Sequence, residues 1–263
     1  MSLADFQEAM CELFFNEKLR LEWYEKNLEF PGLSPQENSS IKNIPEDRIE
    51  LIASSTVRGR VYIFFHSIPK SVALYIGEDA RNEIALNYAV NYPGEDLHPY
   101  SVGIVKWLKF IKKTLLEKGS LPLHLEDILN YEIVSTGLIF YRIPFPVMLS
   151  KGPKLMQNIG LIAAGPEFEK VLEEVKSGLF CQEFSDSPKH GYLLKRTAYG
   201  INIEKLHWTI YEMLKRCDGI RLWKDIVDEL IKEEAYLAEQ AETLLAWEKH
   251  YINTGVLREG IGI

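Results

Sequence analysis

Hydrophobic residues recur at intervals of three and four over the first half of the chain, which is the spacing of amphipathic helices. Runs of proline, glycine and asparagine separate these segments and are typical of helix ends. The predicted helices cover residues 4–27, 45–68, 79–90, 99–118 and 122–134. Residues 142–146 (Arg-Ile-Pro-Phe-Pro) contain too much proline for a helix. The pattern therefore predicts an all-α helical domain over residues 1–143.

The pattern of apolar positions changes after residue 143. Asn158–Ala164 is short and apolar, as in a strand, whereas Pro166–Ser177 is amphipathic with helical spacing. We assign residues 144–178 to a linker and connecting helix.

Residues 179–263 read as two short strands, a helix, a tight turn, two further helices and a terminal strand. The strands are Tyr192–Arg196 and Gly200–Ile203, and the turn contains Asp218-Gly219. This order predicts a C-terminal winged-helix domain, so the fold class expected for the whole chain is α+β. The hairpin lacks an evident first strand, and Leu179–Phe184 is the candidate for it.

Composition adds limits on the class of protein. A chain of 263 residues with 46% hydrophobic and 26% charged residues can form two globular domains. The formal net charge of −8 argues against non-specific nucleic-acid binding, which needs a cationic surface. No apolar run reaches the ~18–20 residues that span a bilayer, and the N-terminus lacks the basic region of a signal peptide. We expect a cytoplasmic protein with no membrane partner.

The sequence contains no recognisable catalytic or metal-binding motif. Its three cysteines are far apart, its six histidines lack the spacing of a metal site, and there is no nucleotide-binding glycine loop. We therefore predict no catalytic residue, no metal site and no cofactor in this chain. A stand-alone enzyme remains an alternative, with His66 and nearby tyrosines as the first candidates.

Charge is distributed unevenly over the C-terminal segment. Residues 221–250 carry eight acidic and four basic side chains, which disfavours a DNA-reading helix. The strand region 189–205 is basic, because it contains four cationic side chains and one acidic side chain, Glu204. A basic strand beside an acidic helical face suits an extended peptide that adds to the sheet as a further strand. Lysines that protect an edge strand from aggregation explain the same charges equally well.

The spacing of residues in the C-terminal segment resembles the PqqD-like domain, also called the RiPP recognition element. The resemblance covers roughly 70 residues, which is the length of a small domain. The matching positions are Tyr192-Leu193-Leu194, Ile210, Leu214, Cys217-Asp218-Gly219, Leu222, Ile226-Val227, Leu230, Leu244, Trp247 and Thr254-Gly255-Val256-Leu257. Members of that family bind the leader segment of ribosomally made peptide precursors.

The helical domain is similar, more weakly, to accessory proteins of multinuclear non-haem iron oxidative enzymes in peptide-modifying pathways of the methanobactin and thiaglutamate type. The positions are Ile68-Pro69, Ile76-Gly77-Glu78, Tyr88, Tyr92-Pro93, Leu125-Glu126-Asp127 and Tyr131-Glu132. The resemblance implies that the iron belongs to a partner enzyme subunit, in a heterodimer with this chain.

The recognition-element family binds its leader between the third strand and the third helix. Carried onto this sequence, the resemblance implies a groove with a floor of strand residues and a wall of helix residues. The implied peptide-binding residues are Ile201, Asn202, Ile203, Lys195, Arg196, Leu244, Trp247, Glu248 and Tyr251.

These observations lead to one functional hypothesis and one principal rival. The first is a non-catalytic accessory subunit that binds the precursor leader by strand addition and presents the core peptide to an iron-dependent oxidative enzyme. The second is a winged-helix transcriptional regulator whose α domain senses a ligand.

Overall fold

The structure, a computed structural model, describes residues 3–26, 28–92, 102–119, 121, 123–140, 152–177 and 189–259. Its internal contacts divide the chain into two units, Met1–Glu117 and Lys118–Ile263. No helix in the described ranges is both long enough and apolar enough to cross a bilayer.

The described part of the first unit is helical. Its helices are α1 (Leu3–Phe15), α2 (Glu17–Lys26), α3 (Pro35–Lys42), α4 (Glu46–His66), α5 (Lys70–Asn91) and α6 (Val102–Glu117). Residues 4–27, predicted as one helix, form two, because the Asn16 side chain accepts the Leu19 N–H at 3.0 Å and starts a new helix. At α3 a capping box between Ser34 and Glu37 fixes the start.

Two groups of buried side chains hold the first unit together. One lies among α1, α2, α3 and α4 and includes Leu13, Trp23 and Ile41. Aromatic rings form the other: Phe64 of α4 lies 4.7 Å from Tyr88 of α5 and 5.0 Å from Trp107 of α6, centroid to centroid. Apolar spacing alone did not identify the buried face of α4, because Ile49 and Phe64 are buried whereas Leu51 and Ile52 are exposed.

The second unit contains both helices and strands. Its helices are α7 (Leu123–Phe140), α8 (Phe168–Lys176), α9 (Trp208–Lys215), α10 (Trp223–Glu233) and α11 (Ala241–Asn253), with a 3₁₀ turn at Ala235–Gln240. Its strands are β1 (Lys154–Leu155), β2 (Ile159–Ala164), β3 (His190–Thr197), β4 (Gly200–Leu206) and β5 (Leu257–Arg258). Strands β2, β3 and β4 form an antiparallel sheet in that order, and β1 pairs with β5.

Each face of the three-stranded sheet is covered by its own set of helices. Ile162, Tyr192 and Leu194 pack with α7 and α8 on one face. Ile159, Leu193 and Leu206 point to the opposite face and pack with α9, α10 and α11. Successive residues of a strand point to opposite faces of the sheet, so the two sets of helices bury the side chains on both faces.

The observed organisation differs from the expected one at the boundary between the units. Helix α7, assigned from the sequence to a domain over residues 1–143, packs on the sheet, where Gly160 of β2 lies against Val134 and Leu138. The strand beside β3 is β2, which the sequence placed in a linker. The earlier candidate, Leu179–Phe184, lies outside the described residues. The chain combines helices with a small antiparallel sheet, as an α+β fold requires.

Candidate functional site

Strand β4 forms an edge of the sheet within the described part of the chain. It pairs with β3 in a register that places Asn202 opposite Lys195 and Ile201 opposite Arg196. No other described strand pairs with it. The outer side of β4 is the strongest candidate for a binding site because an edge strand presents backbone groups that can pair with another chain.

The register identifies the backbone groups that face outward. The Arg196 N–H donates to the Asn158 carbonyl at 2.8 Å, so the backbone groups of Arg196 point towards β2 and away from β4. In an antiparallel pair this orientation alternates along the strand. The N–H and C=O groups of Ile201, Ile203 and Lys205 therefore point outward. No described backbone group forms a hydrogen bond with them.

Side chains of β4 divide between the two faces in a way that corrects the expected groove floor. Ile201 and Ile203 are half-buried and pack with the α7 and α8 side of the sheet. Asn202 and Glu204 are exposed on the opposite face, the one that α11 covers. The two isoleucines thus contribute their backbone to the open edge, whereas their side chains stabilise the core on the other face.

Helix α11 supplies the predicted wall, but two of its residues belong to the core. Leu244 is completely buried, its carbonyl accepting the Trp223 indole N–H at 2.9 Å, and Tyr251 is also buried. Trp247 and Glu248 are half-buried and remain accessible in part. The wall available to a ligand therefore contains Trp247 and Glu248, and Leu244 is wrong as a contact residue.

The two cations predicted to bind peptide are each used within the fold. Lys195 Nζ donates to the carbonyl of Thr254, the C-cap residue of α11, at 2.8 Å. Arg196 Nη1 donates to the carbonyl of Leu138, in the last turn of α7, at 3.0 Å. Cations at helix C-termini satisfy carbonyl groups that lack helical partners and interact favourably with the helix dipole. These contacts fix both side chains beside the sheet.

Two titratable side chains of α11 near the β4 edge, Tyr251 and Glu248, have pKa values raised by burial. Burial, and secondarily the charge of Glu204, raises the pKa of Tyr251 to about 12. Burial raises the pKa of Glu248 as well, with the nearby Glu259 contributing in the same direction. Tyr251 is therefore neutral at physiological pH.

Glu204, which was not among the predicted site residues, lies on the α11 face of β4, and its charge contributes to the raised pKa of Tyr251. The alternation of apolar and polar residues in Ile201, Asn202, Ile203 and Glu204 indicates that Glu204 shares a face of the strand with Asn202. A period-two pattern of this kind places the polar residues together on one face and the apolar residues on the other.

His66, the first candidate residue for the alternative of a stand-alone enzyme, lies in the first unit. His66 is the last residue of α4, exposed, with its ring centroid 4.3 Å from that of Tyr62 and 5.1 Å from that of Phe65. Among the described residues, no group of three or more histidine, cysteine, aspartate or glutamate side chains is arranged to hold a metal ion.

A scan against protein-family models finds no match for this chain, and a search of curated proteins finds none either.

Proposed function

We propose that this protein is a non-catalytic accessory subunit that binds the leader of a ribosomally made precursor peptide by strand addition at β4. The outward backbone groups of β4 support the proposal most directly. Three alternate residues, Ile201, Ile203 and Lys205, supply donors and acceptors that no described strand uses. An added strand satisfies such groups and gains affinity from main-chain hydrogen bonds.

The order of elements gives further support. Strand β2 is followed by α8, then by the β3–β4 hairpin and by α9, α10 and α11. The hairpin and the three helices after it have the order expected for a winged-helix domain of the PqqD-like type. The turn between α9 and α10 is fixed by Asp218, whose carboxylate accepts the N–H groups of Ile220 and Arg221 at 2.8 and 3.1 Å. This turn was one of the positions on which the resemblance depended.

The contacts of the peptide follow from the corrected positions of the side chains. Backbone groups of the outward residues of β4 bind the peptide main chain. Peptide side chains that point to the α11 face meet Asn202, Glu204 and the exposed part of Trp247. An acidic Glu204 favours a cationic residue of the peptide at that position.

Presentation of the core peptide to an iron-dependent oxidative enzyme completes the proposal. In this arrangement the iron and its ligands belong to the enzyme, and this chain provides recognition. Co-expression with an iron enzyme from a neighbouring gene, followed by size-exclusion chromatography and iron analysis of each subunit, tests this part separately. Stoichiometric iron bound to this chain when it is purified by itself would contradict it.

The strand-addition part is tested by titrating the full chain with peptides from short neighbouring reading frames and following amide hydrogen exchange by NMR. Exchange of the Ile201, Ile203 and Lys205 amides is expected to be fast in the free protein and slowed by the peptide. Amides of Asn202 and Glu204 point to β3 and should exchange slowly in both states. Matched controls are a scrambled peptide, a peptide with proline at alternate positions and a duplex from the gene's own promoter.

Binding that slows exchange elsewhere, with no change at β4, rules out strand addition at this edge. Retention of the promoter duplex at low salt, with no response to any peptide, favours the transcriptional regulator instead.

A further inference from the structure

Helices α4 and α5 expose an unusual number of large apolar side chains. Tyr62 and Ile63 of α4 are 67% and 50% exposed, and Leu86 of α5 is 50% exposed. Leu51 and Ile52 of α4 and Val90 of α5 are exposed as well. Large exposed apolar patches on folded proteins often mark interaction sites.

Two of these side chains, Tyr62 and Leu86, line a groove of about 680 Å³ along the seam of the two helices. Its lining recurs every four residues on both walls: Arg58, Tyr62 and His66 on α4, and Glu78, Asn82 and Leu86 on α5. The part of α5 after the backbone break at Gly77 runs antiparallel to α4. Arg81 lies over the Phe65 ring in the last turn of α4, whereas Arg60, more than one turn earlier in α4, donates to the Tyr92 carbonyl at the end of α5. Residues four apart form the ridges between which another helix packs.

Gly59 leaves open space on the exposed side of α4. It lies in the interior of α4 on the exposed side, where an added Cβ would meet nothing within 4 Å. Glycine in a helix interior lowers helix stability. No described part of this chain uses the space that Gly59 leaves open, and a neighbouring helix can approach the backbone closely there.

Charge distribution along the groove indicates what covers it. Arg58 lies towards one end and Glu78 towards the other, and neither forms an ion pair with another described residue. A two-fold axis that crosses the middle of the groove reverses the direction of the helices in a facing copy. It thereby brings Arg58 of each copy to the level of Glu78 of the other. Such self-complementarity is the property of a symmetric dimer interface.

We infer that this face binds a second copy of the chain, α4 and α5 of each copy packing antiparallel across the two-fold axis with reciprocal Arg58–Glu78 pairs. The inference concerns the first unit and is independent of peptide binding at β4. The apolar residues of the face supply the buried area, and the charged ends set the orientation.

Sedimentation equilibrium on the full chain, from about 1 to about 100 µM, tests the dimer directly. The wild-type protein is expected to reach twice its chain mass of 30.3 kDa within this range. Tyr62→Asp places a charge in the apolar centre and should keep the protein monomeric throughout. Arg58→Glu and Glu78→Lys should each raise the dimer dissociation constant on the order of tenfold, because each creates two like-charge contacts per dimer.

The double variant Arg58→Glu/Glu78→Lys restores both pairs with reversed sign and should dimerise nearly as well as the wild type. Lys18→Glu, an exposed position on α2, is the matched charge-reversal control and should change nothing. Far-UV circular dichroism of every variant establishes that the helices are intact. A wild-type protein that stays monomeric up to the highest concentration overturns the inference, and so does a dimer that the single variants leave unchanged. A double variant that fails to recover also overturns it.

Discussion

At the scale of single residues, the main lesson concerns cations near a candidate binding edge. Lys195 and Arg196 stand where a charge count suggested contacts with a peptide, yet each donates to a carbonyl at the C-terminal end of a helix. Net charge along a strand cannot reveal this use, because the helix ends lie far away in sequence. The sequence therefore placed both cations on a strand, as the structure does, but gave no indication of these contacts within the fold.

Gly191 provides a test of packing at the residue scale. A Cβ at this position would lie 2.2 Å from Cβ of Tyr211, on a buried part of β3. Gly191→Ala is expected to lower the free energy of unfolding by about 1–3 kcal/mol, because the core has no room for the methyl group. Gly165→Ala is the control, since its Cβ makes an ordinary 3.6 Å contact with Asp127. Urea unfolding followed by tryptophan fluorescence measures both, and equal midpoints for the two variants would contradict the packing argument.

Cys217 provides a test of burial through pH. Its thiol is buried and donates to the Met213 carbonyl, and burial raises the pKa of the thiol to about 12. Because the thiolate is the nucleophile, Cys217 should resist iodoacetamide from pH 7 to pH 9, about three units or more below that pKa. The exposed Cys11 should be alkylated in the same samples. Peptide mass spectrometry measures the modification of each cysteine, and rapid labelling of Cys217 in folded protein would show that the site opens.

At the scale of elements, the hydrophobic pattern predicted helices and strands better than it predicted their neighbours. Strand β2 lies within Asn158–Ala164, and β3 and β4 contain the two predicted hairpin strands. The pairing of β2 with β3 was missed because α8 and further residues separate them in sequence. Local periodicity carries no information on such long-range pairing. The open edge of β4 could be predicted, but the residues on each of its faces required the register.

Trp247 provides a test of the proposed peptide site at the scale of elements. It is the half-buried aromatic residue of α11 that remains accessible among the predicted wall residues. Trp247→Ala should weaken binding of a peptide that protects β4 by about 2 kcal/mol, the usual loss for an aromatic anchor. Leu245→Ala, at an exposed position of the same helix, should have little effect. Calorimetric titration gives both affinities, and equal losses for the two variants would place the groove elsewhere.

At the scale of the whole molecule, the structure moves the boundary between the two units. The proline-rich segment after α7 looked like the end of a helical domain, but α7 packs against the sheet of the second unit. A fixed ion pair reinforces this packing: the buried Asp127 of α7 accepts the Gly165 N–H at 2.7 Å and a hydrogen bond from Lys189 Nζ at 3.2 Å. The proline content predicted the end of α7, but only the packing contacts of α7 show that it belongs to the second unit.

Truncation tests this assignment. A fragment of residues 118–263 retains α7 and should unfold cooperatively on heating. A fragment of residues 144–263 loses the residues of α7 that cover one face of the sheet, among them Ile128, Val134 and Leu138. It should aggregate or unfold without cooperativity, because burial of those side chains stabilises the sheet by several kcal/mol. Circular dichroism and light scattering compare the two fragments. Cooperative unfolding of the shorter one would restore the boundary near residue 143.

The pairing of β1 with β5 has a consequence for synthesis on the ribosome. Leu155 of β1 pairs with Leu257 of β5, and the nearby Gly219 N–H donates to the Pro153 carbonyl. The second unit therefore cannot complete its sheet contacts until almost its last described residues have left the exit tunnel. The helices of the first unit make mainly local contacts and can form while translation continues. During translation, the first unit can therefore complete its folding before the second unit does.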